Sequence, residues 1–251
     1  MSEAEGQQLL LDPLQVCFDV VPHSDEFLDL FFAHGFAPER CRFMEENNSA
    51  AAVLYWFDCE YRNQKIAYIY AVATAKAHRG KGLCRKLMEH THNYLKNNGY
   101  SGVILVPGSP SLFRFYESMG YKTTCYNHQF TRNKTDDGIS LASISKEEYS
   151  SLRKSFLDDN AVLQEGANLE FLSSYAVFYK GEDFILAAYK DENLLVCPEI
   201  LGNTSHSTEI ISALGCEKGT FRTQGNSFPF AMFLPLREDA PSPAYFGFAF
   251  D

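Results

Sequence analysis

The sequence lacks the features that mark membrane-spanning and secreted proteins. No apolar run approaches the ~18 residues that a membrane-spanning helix needs. The opening segment, MSEAEGQQLLL, carries acids in place of the basic region of a signal peptide. The seven cysteines form no CxxC pair, so we expect them to be buried, reduced thiols. These absences predict a cytoplasmic protein with no membrane partner.

Acidic residues are missing from one long segment. The chain has 32 Asp and Glu residues and a net charge of −10, yet none of these acids lies between Tyr61 and Met88. The basic residues of that segment are Arg62, Lys65, Lys76, Arg79, Lys81, Arg85 and Lys86. An acid-free basic segment in an acidic protein predicts a site for a small anionic ligand, with a solvated helix face as the alternative. The net negative charge disfavours nucleic acid as a partner.

Metal-binding motifs are absent as well. The sequence has neither an HExxH motif nor a cysteine cluster. His90 and His92 lie two residues apart on a predicted helix, so they point to different faces and are expected to be exposed. We therefore predict no metal site.

Hydrophobic periodicity predicts a mixed α/β unit in the first half of the chain. The predicted strands lie at 41–46, 51–61, 65–75, 103–106 and 121–130. The predicted helices lie at 24–35, 82–97 and 111–119. Ser24 starts the first helix, Asn47–Asn48 forms a turn, and Ser109 is an N-cap followed by Pro110 at the first helical position.

The second half repeats this order of elements. A polar, turn-rich segment at 131–138 predicts a domain boundary, which divides the chain into domains 1–134 and 135–251. A capping box, Ser145 with Glu148, starts a helix. The strands that follow are predicted at 173–181, 183–191, 193–202 and 219–224, with a helix at 206–215 and extended segments at 228–236 and 244–250.

One loop of the first half has the chemistry of an anion site. The residues Arg79-Gly80-Lys81-Gly82-Leu83-Cys84 end a strand and open a helix. Glycines allow a sharp turn and a close approach of the backbone, and the free N–H groups of the first helical turn attract an anion. Two phosphate loops are excluded, because neither the Walker A motif nor GxGxxG is present.

This loop resembles the (Q/R)xxGx(G/A) cofactor signature of the GNAT superfamily of N-acetyltransferases, with Cys84 where the family usually has Gly or Ala. The segment LFRFYESMGY resembles the family's later helix, which ends FYxxxG(F/Y). The resemblance covers about residues 23–132. The paired second half is similar to that of a bacterial subgroup with fused GNAT-like halves, distantly similar to the enhanced-intracellular-survival acetyltransferases. The resemblance implies an α/β fold with a mixed sheet. It also implies that the first half is a GNAT domain and that the second half is a degenerate GNAT-like domain without a cofactor loop.

The resemblance also implies an acetyl-CoA site. The backbone groups of Val72, Ala73 and Thr74 would pair with the pantetheine arm. The loop residues Arg79, Gly80, Lys81, Gly82, Leu83 and Cys84 would hold the pyrophosphate. Ser109 and Phe113 would line the far wall of the slot. Tyr116 would protonate the departing thiolate, because a phenol (pKa about 10) and a thiol (pKa about 8.5) are close enough for proton transfer. The alternative is that Tyr116 is a core residue.

The base that deprotonates the acceptor amine stays open. The candidates are Glu45, Glu46, Glu60, a water chain and the terminal carboxylate of Asp251.

The resemblance implies an acetyl-CoA-dependent N-acetyltransferase that acts on a primary amine of a small molecule or peptide. The acidic surface favours a cationic acceptor, such as a polyamine or a lysine side chain. The alternative function is a non-catalytic acyl-CoA-binding regulatory or partner-docking protein. The oligomeric state and the acyl length stay open.

Overall fold

A computed structural model describes residues 25–46 and 49–250 of the chain. The predicted cap at Ser24, the turn at Asn47–Asn48 and the candidate base Asp251 lie outside these residues. Within them, no helix has the length and apolar character needed to cross a bilayer.

The described residues form an α/β fold around one mixed sheet. The strands are β1 (Cys41–Glu46), β2 (Ser49–Tyr61), β3 (Gln64–Thr74), β4 (Gly102–Leu105), β5 (Lys122–Asn133), β6 (Ala142–Ile144), β7 (Val177–Lys180), β8 (Phe184–Asp191), β9 (Leu194–Gly202), β10 (Lys218–Gln224) and β11 (Phe228–Pro235). The helices are α1 (Asp25–Leu30), α2 (Leu83–Asn97), α3 (Pro110–Glu117), α4 (Lys146–Phe156), α5 (Ala167–Ser173) and α6 (Ser207–Ala213). A π-helical turn, Phe31–Gly35, continues α1.

Local sequence explains most of these elements. Leu83, Leu87, Met88 and Leu95, with Thr91 between them, form the buried face of α2, as the helical periodicity of the apolar residues predicts. At the start of α4, the hydroxyl of Ser145 accepts a hydrogen bond from the backbone N–H of Glu148 at 3.1 Å, which confirms the predicted cap. The short elements β6 and α5 were missed, and the predicted extended segment 244–250 is irregular apart from one bridge, at Tyr245.

The two halves exchange strands within the sheet. The strand order is β1-β2-β3-β4-β11-β5-β10-β9-β8-β7-β6. Strand β11, from the second half, lies antiparallel between β4 and β5, with Met232 opposite Leu105 and Phe228 opposite Asn127. Strand β5, from the first half, pairs with β10, where Phe130 lies opposite Phe221. The division proposed after residue 134 stays a prediction, and the sheet is continuous across it.

The C-terminal segment 245–250 packs on the face of the sheet opposite α2 and α3. Its Tyr245 hydroxyl donates to Oε1 of Glu199 at 3.0 Å. Glu199 also accepts from Arg153 at 2.6 Å and from the hydroxyl of Tyr149 at 2.7 Å, and the ion-paired side chains are completely buried. Burial opposes the charge of Arg153, but Glu199 raises its pKa above the ordinary value. Because a buried ion pair adds little net stability, its main consequence is to fix this segment.

The exchanged strand gives a direct test of the fold. Gly102 of β4 has no room for a side chain, because a Cβ there would lie 2.2 Å from the ring of Phe233 of β11. We expect Gly102→Ala to lower the free energy of unfolding by about 1–3 kcal/mol, the usual cost of overpacking. Urea denaturation measures this change. Gly108→Ala is the control, because a Cβ at Gly108 meets no atom within 4 Å. Equal stability of the two variants would contradict the strand exchange.

Candidate functional site

The end of β3 carries a bulge. Tyr70 lies opposite Tyr55 and Ala73 lies opposite Val53, so β3 has one more residue than β2 between these pairs. Ala71 has a φ of 53°, which is uncommon for any residue with a side chain. A bulge bends a strand and ends regular pairing, and such features concentrate next to functional sites.

Strands β3 and β4 stop pairing at this bulge. Their parallel ladder runs from Ile66 and Gly102 to Ile69 and Leu105. Beyond Ile69, β3 keeps β2 as its partner on one side but no longer pairs with β4 on the other. The expected pantetheine-binding residues, Val72–Thr74, lie in this splayed part. Their backbone is therefore placed where an extended ligand can add to the sheet as a strand would.

The glycine loop follows β3 and opens α2, as predicted. Gly80 and Gly82 have φ values of 77° and 76°, in the left-handed region that favours glycine. A Cβ on either glycine would meet no atom within 4 Å, so the space beside both is open. The first helical hydrogen bond runs from Lys86 to Gly82. The N–H groups of residues 83–85 therefore have no acceptor within the helix and can bind an anion.

The basic segment does not form one patch. Arg62 hydrogen-bonds Asp159 and Asn160, and Lys65 forms an ion pair with Asp58, at the opposite end of β3 from the loop. Arg85 donates both to the carbonyl and to the hydroxyl of Ser118, which ties α2 to the turn after α3. The remaining bases of the segment are grouped around the loop.

Lys76, Arg79 and Lys86 are exposed near the loop. Arg79 also donates through Nε to the carbonyl oxygen of Thr74 at 3.1 Å, which fixes the loop against the end of β3. The charges of these three side chains are therefore accessible to an anion at the loop.

A carboxylate from β1 reaches the loop, which the acid-free sequence did not predict. Glu46 accepts a hydrogen bond from Nζ of Lys81 at 2.9 Å and lies 2.8 Å from Nδ1 of His78. These hydrogen bonds, first that from Lys81, lower the pKa of Glu46 below its ordinary value. Glu46 is consequently a weaker base than a free carboxylate, and its contacts hold the loop in place.

Tyr116 lies in the core between α2 and α3. Its side chain is 6% exposed, and its ring packs 5.7 Å from that of Tyr121. Burial, with a contribution from the neighbouring Cys84, raises the pKa of Tyr116 well above the ordinary value for a phenol. Burial likewise raises the pKa of the Cys84 thiol to about 11. Both groups are therefore neutral and carry a proton. Because Cys84 lies in the first turn of α2, its neighbour Tyr116 lies beside the loop.

The other wall residues lie at the start of α3. Ser109 occupies the N-cap position and Pro110 the first turn, as predicted. The Ser109 hydroxyl does not cap the helix, because it lies 2.9 Å from the hydroxyl of Ser111 instead. Phe113 is half-buried against the same core as Tyr116. The structure thus brings α3, the loop and the splayed end of β3 together.

The candidate bases are dispersed. Glu60 lies opposite Lys65, and the seven steps along the strand from Lys65 to Val72 span about 23 Å at about 3.3 Å per residue. Glu45 is exposed on β1, which β2 separates from β3 by about 10 Å. Asp251 lies outside the described residues.

His90 and His92 of α2 were both predicted to be exposed, with no metal site. His90 is exposed, as expected, but His92 is half-buried, with its Nε2 2.7 Å from the hydroxyl of Tyr121, because the Tyr121 ring reaches α2 from the end of α3. Burial lowers the pKa of His92 to about 4. No group of three His, Cys, Asp or Glu side chains that could hold a metal occurs in the part of the chain that is described.

The second half has a corresponding bulge, between β8 and β9, but lacks the features of the ligand site. Ala187 lies opposite Glu199 and Tyr189 opposite Val196, the same offset as in β3. This register places Pro198 where the first half has Val72, and proline has no backbone N–H to offer a ligand. The following loop, 202–206, contains no Lys or Arg. Sequence reasoning missed Pro198, although a proline inside a predicted strand signals a bulge or an edge.

Comparisons with known proteins agree with this geometry. Residues 8–124 match the family model described as the acetyltransferase (GNAT) domain. No curated protein matches the chain.

Solved structures match over nearly the whole chain at low identity, so they show the fold alone. A GCN5-related N-acetyltransferase from Anabaena variabilis is 15% identical, with a TM-score of 0.68 over 94% of this chain and 71% of that one. Eis1 from Mycobacterium abscessus is 8% identical, with a TM-score of 0.63 over 94% and 72%. A tandem GNAT protein from the clavulanic acid biosynthesis pathway is 8% identical, with a TM-score of 0.55 over 95% and 97%. Residues 8–124 are therefore similar to the GNAT acetyltransferase domain, and the described residues have the fold of GNAT proteins with two GNAT halves.

Proposed function

We propose that this protein is an acetyl-CoA-dependent N-acetyltransferase that acetylates a primary amine. The observation that carries the proposal is that three features meet at one end of β3. They are the bulge at Ala71, the unpaired edge of residues 72–74, and the glycine loop that opens α2. Each suits a different part of one long anionic ligand, and the GNAT family match supports acyl transfer.

The residues present fit acetyl-CoA. Backbone groups of Val72, Ala73 and Thr74 bind the pantetheine arm as an added strand. The N–H groups of residues 83–85 bind the pyrophosphate, and the exposed bases Lys76, Arg79 and Lys86 neutralise its charge. Ser109 and Phe113 line the opposite wall. When bound, acetyl-CoA supplies an acetyl group already activated as a thioester.

Tyr116 acts as the general acid. Its burial keeps the phenol protonated, so a proton is available when the thiolate departs. The same burial strengthens a nearby thiolate as a base, as the raised pKa of the Cys84 thiol illustrates. Desolvation therefore raises the pKa of donor and acceptor together, which keeps the proton transfer close to balanced.

The amine proton leaves by another route. An alkyl ammonium has a pKa near 10.4, so an acceptor for its proton assists the attack. Glu46 is a weakened base because of Lys81 and His78, and Glu60 lies on β2, opposite the start of β3 and far from the bulge. We propose that water or the carboxylate of Asp251 takes the proton. Asp251 directly follows Phe250, whose ring lies 5.8 Å from that of Tyr70, beside the bulge.

Removing the acid should slow turnover without affecting binding. We expect Tyr116→Phe to lower kcat at least ten-fold, because the thiolate then departs unprotonated. The release of CoA is followed with a thiol reagent for a panel of primary amines, and acetyl-CoA affinity by calorimetry. Tyr126→Phe, at a Tyr that is 38% exposed, is the control and should match the wild type. Unchanged kcat in Tyr116→Phe would contradict the role of Tyr116, and binding without turnover of any amine would favour a non-catalytic acyl-CoA-binding protein.

The loop is tested by two glycines that flank the same helix. Gly82 precedes α2 and Gly99 follows it, both have positive φ, and a Cβ on either meets no atom within 4 Å. Alanine should strain the backbone similarly at both positions. We expect only Gly82→Ala to weaken acetyl-CoA binding, by at least ten-fold in calorimetry, because its Cβ enters the space beside the free N–H groups. An equal loss of affinity in Gly99→Ala would show that general destabilisation causes the effect.

A further inference from the structure

Tyr121 contacts the proposed acid, Tyr116, in two ways. Its backbone N–H donates a hydrogen bond to the carbonyl oxygen of Tyr116 at 3.2 Å, where the chain turns back after α3. Its ring lies 5.7 Å from the ring of Tyr116, in the edge-to-face arrangement that aromatic pairs favour. Tyr121 is only 2% exposed, so its ring has little room to move. In such a packed core, a shift of the Tyr121 ring would displace the ring of Tyr116 as well.

The hydroxyl of Tyr121 is held by α2. It lies 2.7 Å from Nε2 of His92, which is hydrogen-bonding distance. Burial lowers the pKa of His92 to about 4 and raises the pKa of Tyr121 well above that of an ordinary phenol. At neutral pH the imidazole is therefore uncharged and the phenol keeps its proton, so Nε2 can accept the Tyr121 hydrogen. This bond fixes the far end of the Tyr121 ring.

A second contact joins α2 to the same turn. Arg85 donates to the carbonyl oxygen of Ser118 at 3.1 Å and to the Ser118 hydroxyl at 2.6 Å. Arg85 and His92 are seven residues apart, so they lie on one face of α2, about two helical turns from each other. Two separate hydrogen-bonded contacts therefore hold the end of α3 against α2.

These contacts connect the acid to the anion site. Helix α2 begins at the glycine loop, where the N–H groups of residues 83–85 are proposed to bind the pyrophosphate. Helix α3 carries Tyr116. Because the two helices are fixed to each other, the phenol of Tyr116 keeps a constant distance from the loop. This precision matters, since a displacement of about 1 Å can lower a catalytic rate about 100-fold.

We propose that Tyr121 and His92 are positioning residues for the general acid, and that their hydrogen bond holds the Tyr116 phenol where it can protonate the departing thiolate. This inference rests on the proposed acetyl transfer and on Tyr116 as its acid. Both residues act through Tyr116 and not on the substrate. Their removal should therefore change the rate of the chemical step and leave the binding of acetyl-CoA unchanged.

Removal of a single hydroxyl group tests this assignment. Tyr121→Phe removes the bond to His92 and keeps the ring, and we expect it to lower kcat for CoA release at least five-fold, with acetyl-CoA affinity unchanged in calorimetry. Tyr61→Phe is the matched control, because Tyr61 is 1% exposed and its hydroxyl donates to the carbonyl oxygen of Ser242 at 3.0 Å. Tyr61 lies opposite Gln64, far from the bulge. It should lose a similar amount of stability in urea denaturation and keep the wild-type kcat.

Variants of His92 test the other end of the bond. His92→Leu removes the acceptor and should lower kcat as much as Tyr121→Phe does. His92→Gln keeps a polar group near the position of Nε2 and should restore most of the rate. Equal kcat values for His92→Leu and His92→Gln would show that the hydrogen bond does not position the acid.

A double variant separates positioning from general stability. If Tyr121 acts through Tyr116, then adding Tyr121→Phe to Tyr116→Phe lowers kcat no further, because residues that act as a unit have non-additive effects. A further drop in the double variant, an unchanged kcat in Tyr121→Phe, or an equal loss in Tyr61→Phe overturns the assignment and leaves the acetyl transfer standing. If the wild type releases no CoA with any amine of the panel, the proposed transfer and this assignment both fail.

Discussion

The pairing of β11 with β4 on one side and β5 on the other is the constraint on which the architecture depends. Backbone N–H and C=O groups in a sheet must be paired, and an exposed strand edge invites other chains. Neither half satisfies this requirement alone, because each takes a strand from the other. The C-terminal segment continues from β11 across the sheet, where Glu199 holds Tyr245. The site of the first half is therefore bordered by residues of the second.

The two halves share a bulge but differ in what surrounds it. In the first half, the bulge at Ala71 precedes a glycine loop and a helix N-terminus with free N–H groups. In the second half, Pro198 takes the place of Val72, and the loop has no base. The adjacent Glu199 is used in a buried ion pair with Arg153. We therefore propose that the duplicated geometry provides one ligand slot, in the first half.

Features with a local cause could be predicted from the sequence. The strand 41–46 was predicted with its observed bounds, and the glycine loop and the cap at Ser145 follow from neighbouring residues. Features that join distant segments could not be predicted. The insertion of β11 and the contact of Glu46 with Lys81 depend on pairings that no local pattern encodes. The segment 244–250 was predicted to be extended, but it is irregular, and its rings pack into the core.

Hydrogen exchange with and without acetyl-CoA tests the central claim most directly, because it reports where the ligand binds. Strand β3 no longer pairs with β4 beyond Ile69, and the amides of residues 83–85 have no acceptor within α2, so bound acetyl-CoA should slow exchange at 72–74 and 83–85. Peptides that cover 198–206, the counterpart in the second half, should exchange at the same rate with and without the ligand. Protection of 198–206, or unchanged exchange at 83–85 with saturating acetyl-CoA, would contradict the account.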